Sequence, residues 1–154
     1  MTIDRGVIGR QSQPQSLLIT RSRLRNFATA TGQTDPVYVD LEAAKQAGHT
    51  DLPVPPTFMF GIELESLDPF SFLTELGVDL RTVLHGEQQF EYRQMAYAGD
   101  ELTAQSTIVD VYDKKGGLLE FLVRETTVTN PAEAVVAVLR GVTVVQNRPA
   151  KDAS

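Results

Sequence analysis

The period of the sequence changes at Val83, and that switch limits what the chain can fold into. Leu84, Gly86, Gln88, Phe90 and Tyr92 fall on one side of an extended strand. His85, Glu87, Gln89, Glu91 and Arg93 fall on the other. The spacing predicts further strands over residues 102–112, 118–129 and 134–146. Turns at Ala98-Gly99-Asp100, Asp113-Lys114-Lys115-Gly116-Gly117 and Asn130-Pro131-Ala132-Glu133 separate them. The last strand is apolar on both faces around residues 135–139, which places it inside the sheet. Long strands joined by tight turns make an antiparallel meander, and its inner face needs apolar cover.

The first half of the chain supplies that cover. Leu17, Leu18, Ile19 and Thr20 read as a short strand. Ser22 can cap a helix carrying Leu24, Phe27 and Ala28, and Gly32 ends it. Asp40 caps a second helix over residues 41–47, closed by Gly48. Prolines between Asp51 and Pro56 stiffen the approach to the next element. Residues 57–67 read as a helix, apolar on most sides and therefore buried. Gly61 within it costs about 1 kcal/mol relative to Ala, as expected where a chain or ligand comes close. Glu63 and Glu65 interrupt it and are expected at an edge facing solvent or a subunit interface. This predicts an α+β fold: a single domain over residues 15–146, with flexible segments at 1–14 and 147–154. One central helix wrapped by an antiparallel sheet fits a hot-dog domain, although periodicity alone does not name it.

Composition removes several function classes. With 154 residues one core is expected. The net charge of −6 and the absence of a Lys/Arg cluster argue against duplex nucleic acid. Cysteine is absent and only His49 and His85 are present, which disfavours a thiolate or histidine metal centre. No Gly-rich phosphate loop of either common spacing occurs, so no cofactor is expected. No apolar run approaches the roughly 20 residues of a bilayer span. The polar start of the chain lacks a secretory pattern, so a cytoplasmic location is expected. His49, in a polar loop, is expected to be exposed.

The densest chemistry lies in Thr31-Gly32-Gln33-Thr34-Asp35-Pro36-Val37-Tyr38-Val39-Asp40. With Phe27, Ala28 and Ala30 before it, this stretch resembles the hydratase signature of MaoC-like (R)-specific enoyl hydratases, which reads Ser-Gly-Asp-x-Asn-Pro-aliphatic-His. The segment from Gly48 to Phe58 is similar to that family too. So is Val83-Leu84-His85-Gly86-Glu87-Gln88-x-Phe90-x-Tyr92-Arg93 with Ala98-Gly99-Asp100. This last segment is nearer to the N-terminal dehydratase domain of two-domain MaoC proteins and to HadA-type subunits of split dehydratases. The resemblance spans residues 15–146 and implies a hot-dog domain that handles 2-enoyl or 3-hydroxyacyl thioesters of CoA or acyl carrier protein in fatty-acid metabolism.

In the family an Asp and a His around one water perform the proton transfers, and backbone N–H groups at a helix start face the thioester oxygen. Here the Asp position holds Gln33 and the His position holds Tyr38, while Asp35 replaces Asn and Thr31 replaces Ser. An amide does not titrate, and a phenol ordinarily does so near 10. The resemblance therefore implies a hydro-lyase subunit whose Asp and His come from a MaoC-like partner. Gln33 and Asp35, with Pro56, Thr57, Phe58 and Gly61 at the tunnel mouth and wall, are its candidate substrate-binding residues. Tyr38, His85 and Glu87 are the candidate catalytic residues, with Glu87 expected to orient His85 from the same strand face. Two other readings stay open: a self-sufficient homodimeric hydratase or thioesterase using His85 and Glu87, and a non-catalytic acyl-CoA binding module.

Overall fold

The computed structural model describes residues 3–147. Five strands form one antiparallel sheet: β1 (Gln15–Leu18), β2 (Val83–Tyr92), β3 (Glu101–Lys114), β4 (Leu119–Thr129) and β5 (Val135–Gln146), in the order β1-β3-β4-β5-β2. The three long strands pair as the predicted meander. β5 lies between β4 and β2, as its two apolar faces require. The β3–β4 hairpin turns through Lys115, Gly116 and Gly117, all at positive φ.

Three short helices precede or flank the sheet: α1 (Arg21–Thr31), α2 (Leu41–Gln46) and α3 (Ser71–Thr74). Thr20, rather than Ser22, caps α1; its hydroxyl accepts from the Arg23 N–H at 3.3 Å. Gly32 ends α1 in the left-handed conformation, and Asp40 caps α2 through the Ala43 N–H at 2.8 Å. Leu24 and Ala28 of α1 are fully buried, and Leu24 joins Ile19, Leu52, Leu102 and Ala137 in the first apolar cluster. A second apolar cluster gathers Ile3, Leu73, Ile108, Val111, Leu122 and Val145.

Three expectations change. Residues 57–67 do not form one helix. They make two 3₁₀ turns, Phe58–Gly61 and Glu63–Glu65, closed by i→i+3 bonds such as Ile62 N–H to the Met59 carbonyl at 3.2 Å. Thr57, at φ 71, cannot enter an α-helix, and Gly61 in mid-segment weakens one. The element wrapped by the sheet is therefore a thin, broken strap. Residues 3–14, expected to fray, lie along β3 instead: Gly9 N–H bonds the Ile108 carbonyl at 2.8 Å and Ser12 N–H bonds the Ser106 carbonyl at 2.9 Å. Ile3 is 5% exposed, and its N–H donates to buried Glu120 at 2.6 Å. Asn147, the first residue of the expected tail, donates to the same carboxylate at 2.5 Å; the rest of that tail lies outside the described residues.

The third change is in β2. His85 stands opposite Thr143, but Glu87 stands opposite Val142, so Gly86 is the extra residue of a bulge. A Cβ at Gly86 would sit 2.8 Å from Val144 Cγ2 and 3.1 Å from the Val142 carbonyl, which is why glycine is needed there. The bulge reverses the alternation. His85 shares the inner face with Gln88 and Phe90, while Leu84 and Glu87 belong to the outer register.

Candidate functional site

The family-like turn is built from its own side chains. Gln33 N–H donates to the Ala28 carbonyl at 2.8 Å as α1 ends. The Gln33 side-chain oxygen accepts from the Asp35 N–H at 3.0 Å. Asp35 in turn caps a 3₁₀ turn over Pro36–Tyr38, its Oδ1 accepting from the Val37 N–H at 3.0 Å. Val37 packs on the first apolar cluster, and Tyr38 is half-buried. The two polar positions nearest to reactive roles are thus occupied in shaping backbone.

Beside this turn lies the proline-rich loop. Phe58 is 8% exposed and meets Phe27 edge-on at 5.3 Å. Thr57 N–H donates to the Tyr92 hydroxyl at 2.9 Å, which helps hold its positive φ. Pro56 is exposed. A Cβ on Gly61 would meet nothing of this chain within 4 Å. The Arg21 guanidinium hydrogen-bonds Asp51 at 2.6 and 2.9 Å, pinning the start of α1 to the loop. That bond holds the Asp51 carboxyl down at about 2.

A separate cavity of about 210 Å³ opens beneath β2 and β5. Phe60, Leu64, Phe70, Val83 and Leu139 give it an apolar wall. His85 and Gln88 reach it from the inner face of β2, and the His85 ring meets Phe60 edge-on at 5.4 Å. Gly141, opposite Gln88, leaves room for that amide; a Cβ there would come 3.1 Å from Gln88 Oε1. Of the sequence-derived candidates only His85 lines this cavity; Gln33, Asp35, Tyr38, Pro56, Thr57, Phe58, Gly61 and Glu87 do not. The expected His85–Glu87 pair is not formed, because the Gly86 bulge puts the two in opposite registers. His49 is half-buried rather than exposed, with Nδ1 3.4 Å from the Tyr97 hydroxyl.

The cavity has a polar back wall. Arg124 donates to both Glu63 oxygens at 2.8 Å and to Ser106 Oγ at 2.7 Å. Ser106 and Thr126 donate to the same carboxylate, the latter at 3.1 Å. The Phe72 ring covers the guanidinium at 3.8 Å. Glu63, expected at an edge facing solvent or a subunit interface, is instead turned inward onto Arg124; its side chain is 23% exposed and that of Arg124 17%. Burial pushes the Arg124 guanidinium below its ordinary value, and the Glu63 charge opposes that shift. A sequence signal existed: Leu122, Arg124, Thr126 and Val128 share one parity on β4, so two polar residues interrupt an apolar face. Among the described residues no group of three or more His, Asp or Glu side chains forms a metal cluster, and no helix is long and apolar enough to cross a membrane.

A curled antiparallel sheet over a short strap, with a signature turn beside it, invites comparison with known proteins. The FAS1-like dehydratase domain region matches residues 6–139. A UPF0336 protein of Thermobifida fusca is 34% identical over 90% of this chain and 91% of its own. Another, from Streptomyces griseus, is 40% identical over 75% of this chain and 78% of its own. Among solved structures, a HadBC (3R)-hydroxyacyl-ACP dehydratase complex from Mycobacterium tuberculosis is similar with a TM-score of 0.75 and 24% identity, covering 93% of this chain and 99% of its own. A MaoC-like dehydratase reaches a TM-score of 0.79 at 23% identity, over 92% of this chain and 42% of its own. The ChsH1–ChsH2 complex of M. tuberculosis gives 0.75 at 20% identity, over 94% of this chain and 89% of its own. At such identities the structural likeness establishes the fold, and that fold is the hot-dog. The chain belongs to the family of FAS1-like dehydratase domain regions, and the UPF0336 proteins are its relatives.

Proposed function

We propose that the protein is one subunit of an acyl-thioester hydratase/dehydratase, shaping the acyl site while a MaoC-like partner supplies the Asp and His. The observation that carries this reading is the turn itself. It keeps the framing residues Gly32, Pro36 and Asp40, yet Gln33 and Asp35 are engaged in backbone hydrogen bonds and Tyr38 replaces the imidazole. An apolar cavity bordered by the edge strand β2 adds to it, because a second sheet can continue from that edge. The similar HadBC and ChsH1–ChsH2 proteins are themselves complexes. The substrate class is a 2-enoyl or 3-hydroxyacyl thioester of CoA or acyl carrier protein.

The test is reconstitution. The purified chain alone should not hydrate 2-enoyl-CoA. Mixed with a MaoC-like subunit carrying the intact Asp–His turn, it should raise hydration above the rate of that subunit by itself. No gain in any such mixture, with the chain folded, would remove the proposal.

One observation favours a second reading. His85 lies on the inner face of β2 and lines the cavity, where an imidazole can act as a base without any partner. That homodimeric hydratase or thioesterase predicts turnover of an acyl-CoA panel by the isolated chain, abolished in His85→Gln. Turnover unchanged in that variant would rule it out.

A further inference from the structure

The Glu63–Arg124 pair stands between two hollows. On one side is the apolar cavity under β2. On the other, a polar cleft of about 280 Å³ runs beneath the N-terminal segment, bordered by Arg10, Ser12, Gln15 and Glu75. Glu63, Pro69, Phe72 and Arg124 line both. We propose that the Glu63–Arg124 pair is the floor of the acyl pocket and sets the longest acyl tail this subunit accommodates, an inference that rests on the acyl-thioester reading above.

The pair is held too firmly to swing aside. Both carboxylate oxygens accept from Arg124, Ser106 and Thr126 add two further donors, and Phe72 closes the free face of the guanidinium. The donors come from β3 and β4 in the middle of the sheet, and the acceptor comes from the strap, so the partition ties two layers together. A methylene arriving at this wall would have to displace charged, hydrogen-bonded groups or strip the solvent that reaches them, and it gains no apolar contact in return. Tails short enough to end at Phe60, Leu64 and Leu139 stop on apolar side chains. Affinity should therefore climb with chain length and then stop where the tail reaches the pair.

The experiment is a calorimetric titration of the full chain with saturated acyl-CoAs from butanoyl to hexadecanoyl. The variant is Glu63→Leu with Arg124→Met, which removes both charges together because either alone leaves an unpaired buried ion. Ser106 and Thr126 keep each other as partners at 3.0 Å. The wild type should reach a plateau. In the double variant affinity should keep rising past it, by roughly two- to fourfold per added methylene. Phe72→Ala, which thins the same wall without altering charge, should move the plateau the same way by fewer carbons, and it decides the matter if the double variant fails to fold by circular dichroism. A wild type that shows no plateau, a plateau that stays in place in the variants, or a uniform loss of affinity at every length overturns the floor while leaving the acyl reading intact. No binding of any acyl-CoA to the wild type overturns both.

Discussion

The turn over residues 31–40 and the buried wall under Glu63 are opposites. The turn reads in sequence as a place of chemistry, and in the fold it is a self-supporting scaffold whose polar side chains cap their own backbone. The wall has no motif at all, and in the fold it concentrates charge inside an apolar sheet. A signature preserves the geometry of a site more readily than its reactivity, because the backbone needs Gly32, Pro36 and Asp40 whatever stands between them. A partly buried ion pair is specified by long-range packing: 61 positions separate Glu63 from Arg124.

If that contrast is right, breaking the wall should cost the fold far more than breaking the turn. Arg124→Ala leaves the partly buried Glu63 carboxylate with only two hydroxyls, and should destabilise the protein by about 3 kcal/mol in urea unfolding. A loss under 1 kcal/mol would mean that solvent already screens the carboxylate. Gly86→Val comes next. Its side chain would collide with Val144 and the Val142 carbonyl, so the bulge must open at about 2 kcal/mol. The same change should move the His85 resonances in NMR, since the bulge sets the face of that ring. Asp35→Ala removes one capping bond from an exposed turn and should cost about 1 kcal/mol. A larger loss would make the turn more than a scaffold.

The sheet was legible because alternation and turn residues are local signals. β3, β4 and β5 begin and end within two residues of the predicted spans, and the inner position of β5 follows from its apolar faces. The strap was misread because hydrophobicity at 57–67 resembles a helical pattern, while the positive φ of Thr57 depends on the Tyr92 hydroxyl 35 positions away. The parity of β2 was misread for a related reason. Gly86 reads as one more residue in an alternating run, and only its crowding against Val142 and Val144 reveals a bulge. The candidate site divided in the same way. Gln33, Asp35 and Tyr38 stand out only through the resemblance to the hydratase signature, whereas Arg124, Ser106 and Thr126 carry a weak parity signal that becomes meaningful once Glu63 is seen to face them.

The smallest expected effect sharpens the scaffold side of the contrast. The Arg21–Asp51 bond ties α1, which delivers the turn, to the proline-rich loop. Its carboxyl is held at about 2, below the ordinary 3.8, so the bond contributes stability that is fully present above 3.8 and fades as the pH falls toward 2. Arg21 is 47% exposed, so water and salt screen the pair, and its contribution is small. Asp51→Asn keeps an oxygen for the Leu52 N–H and loses the charge together with the second acceptor for Arg21. Wild type and variant should therefore differ in unfolding free energy near neutral pH, and the gap should narrow at high salt and close as the carboxyl protonates. A gap that persists in acid would assign the tie to packing of the proline loop rather than to charge. The turn would then rest on the same kind of apolar contact, Phe27 against Phe58 and Val37 on the cluster, that holds the rest of the first cluster.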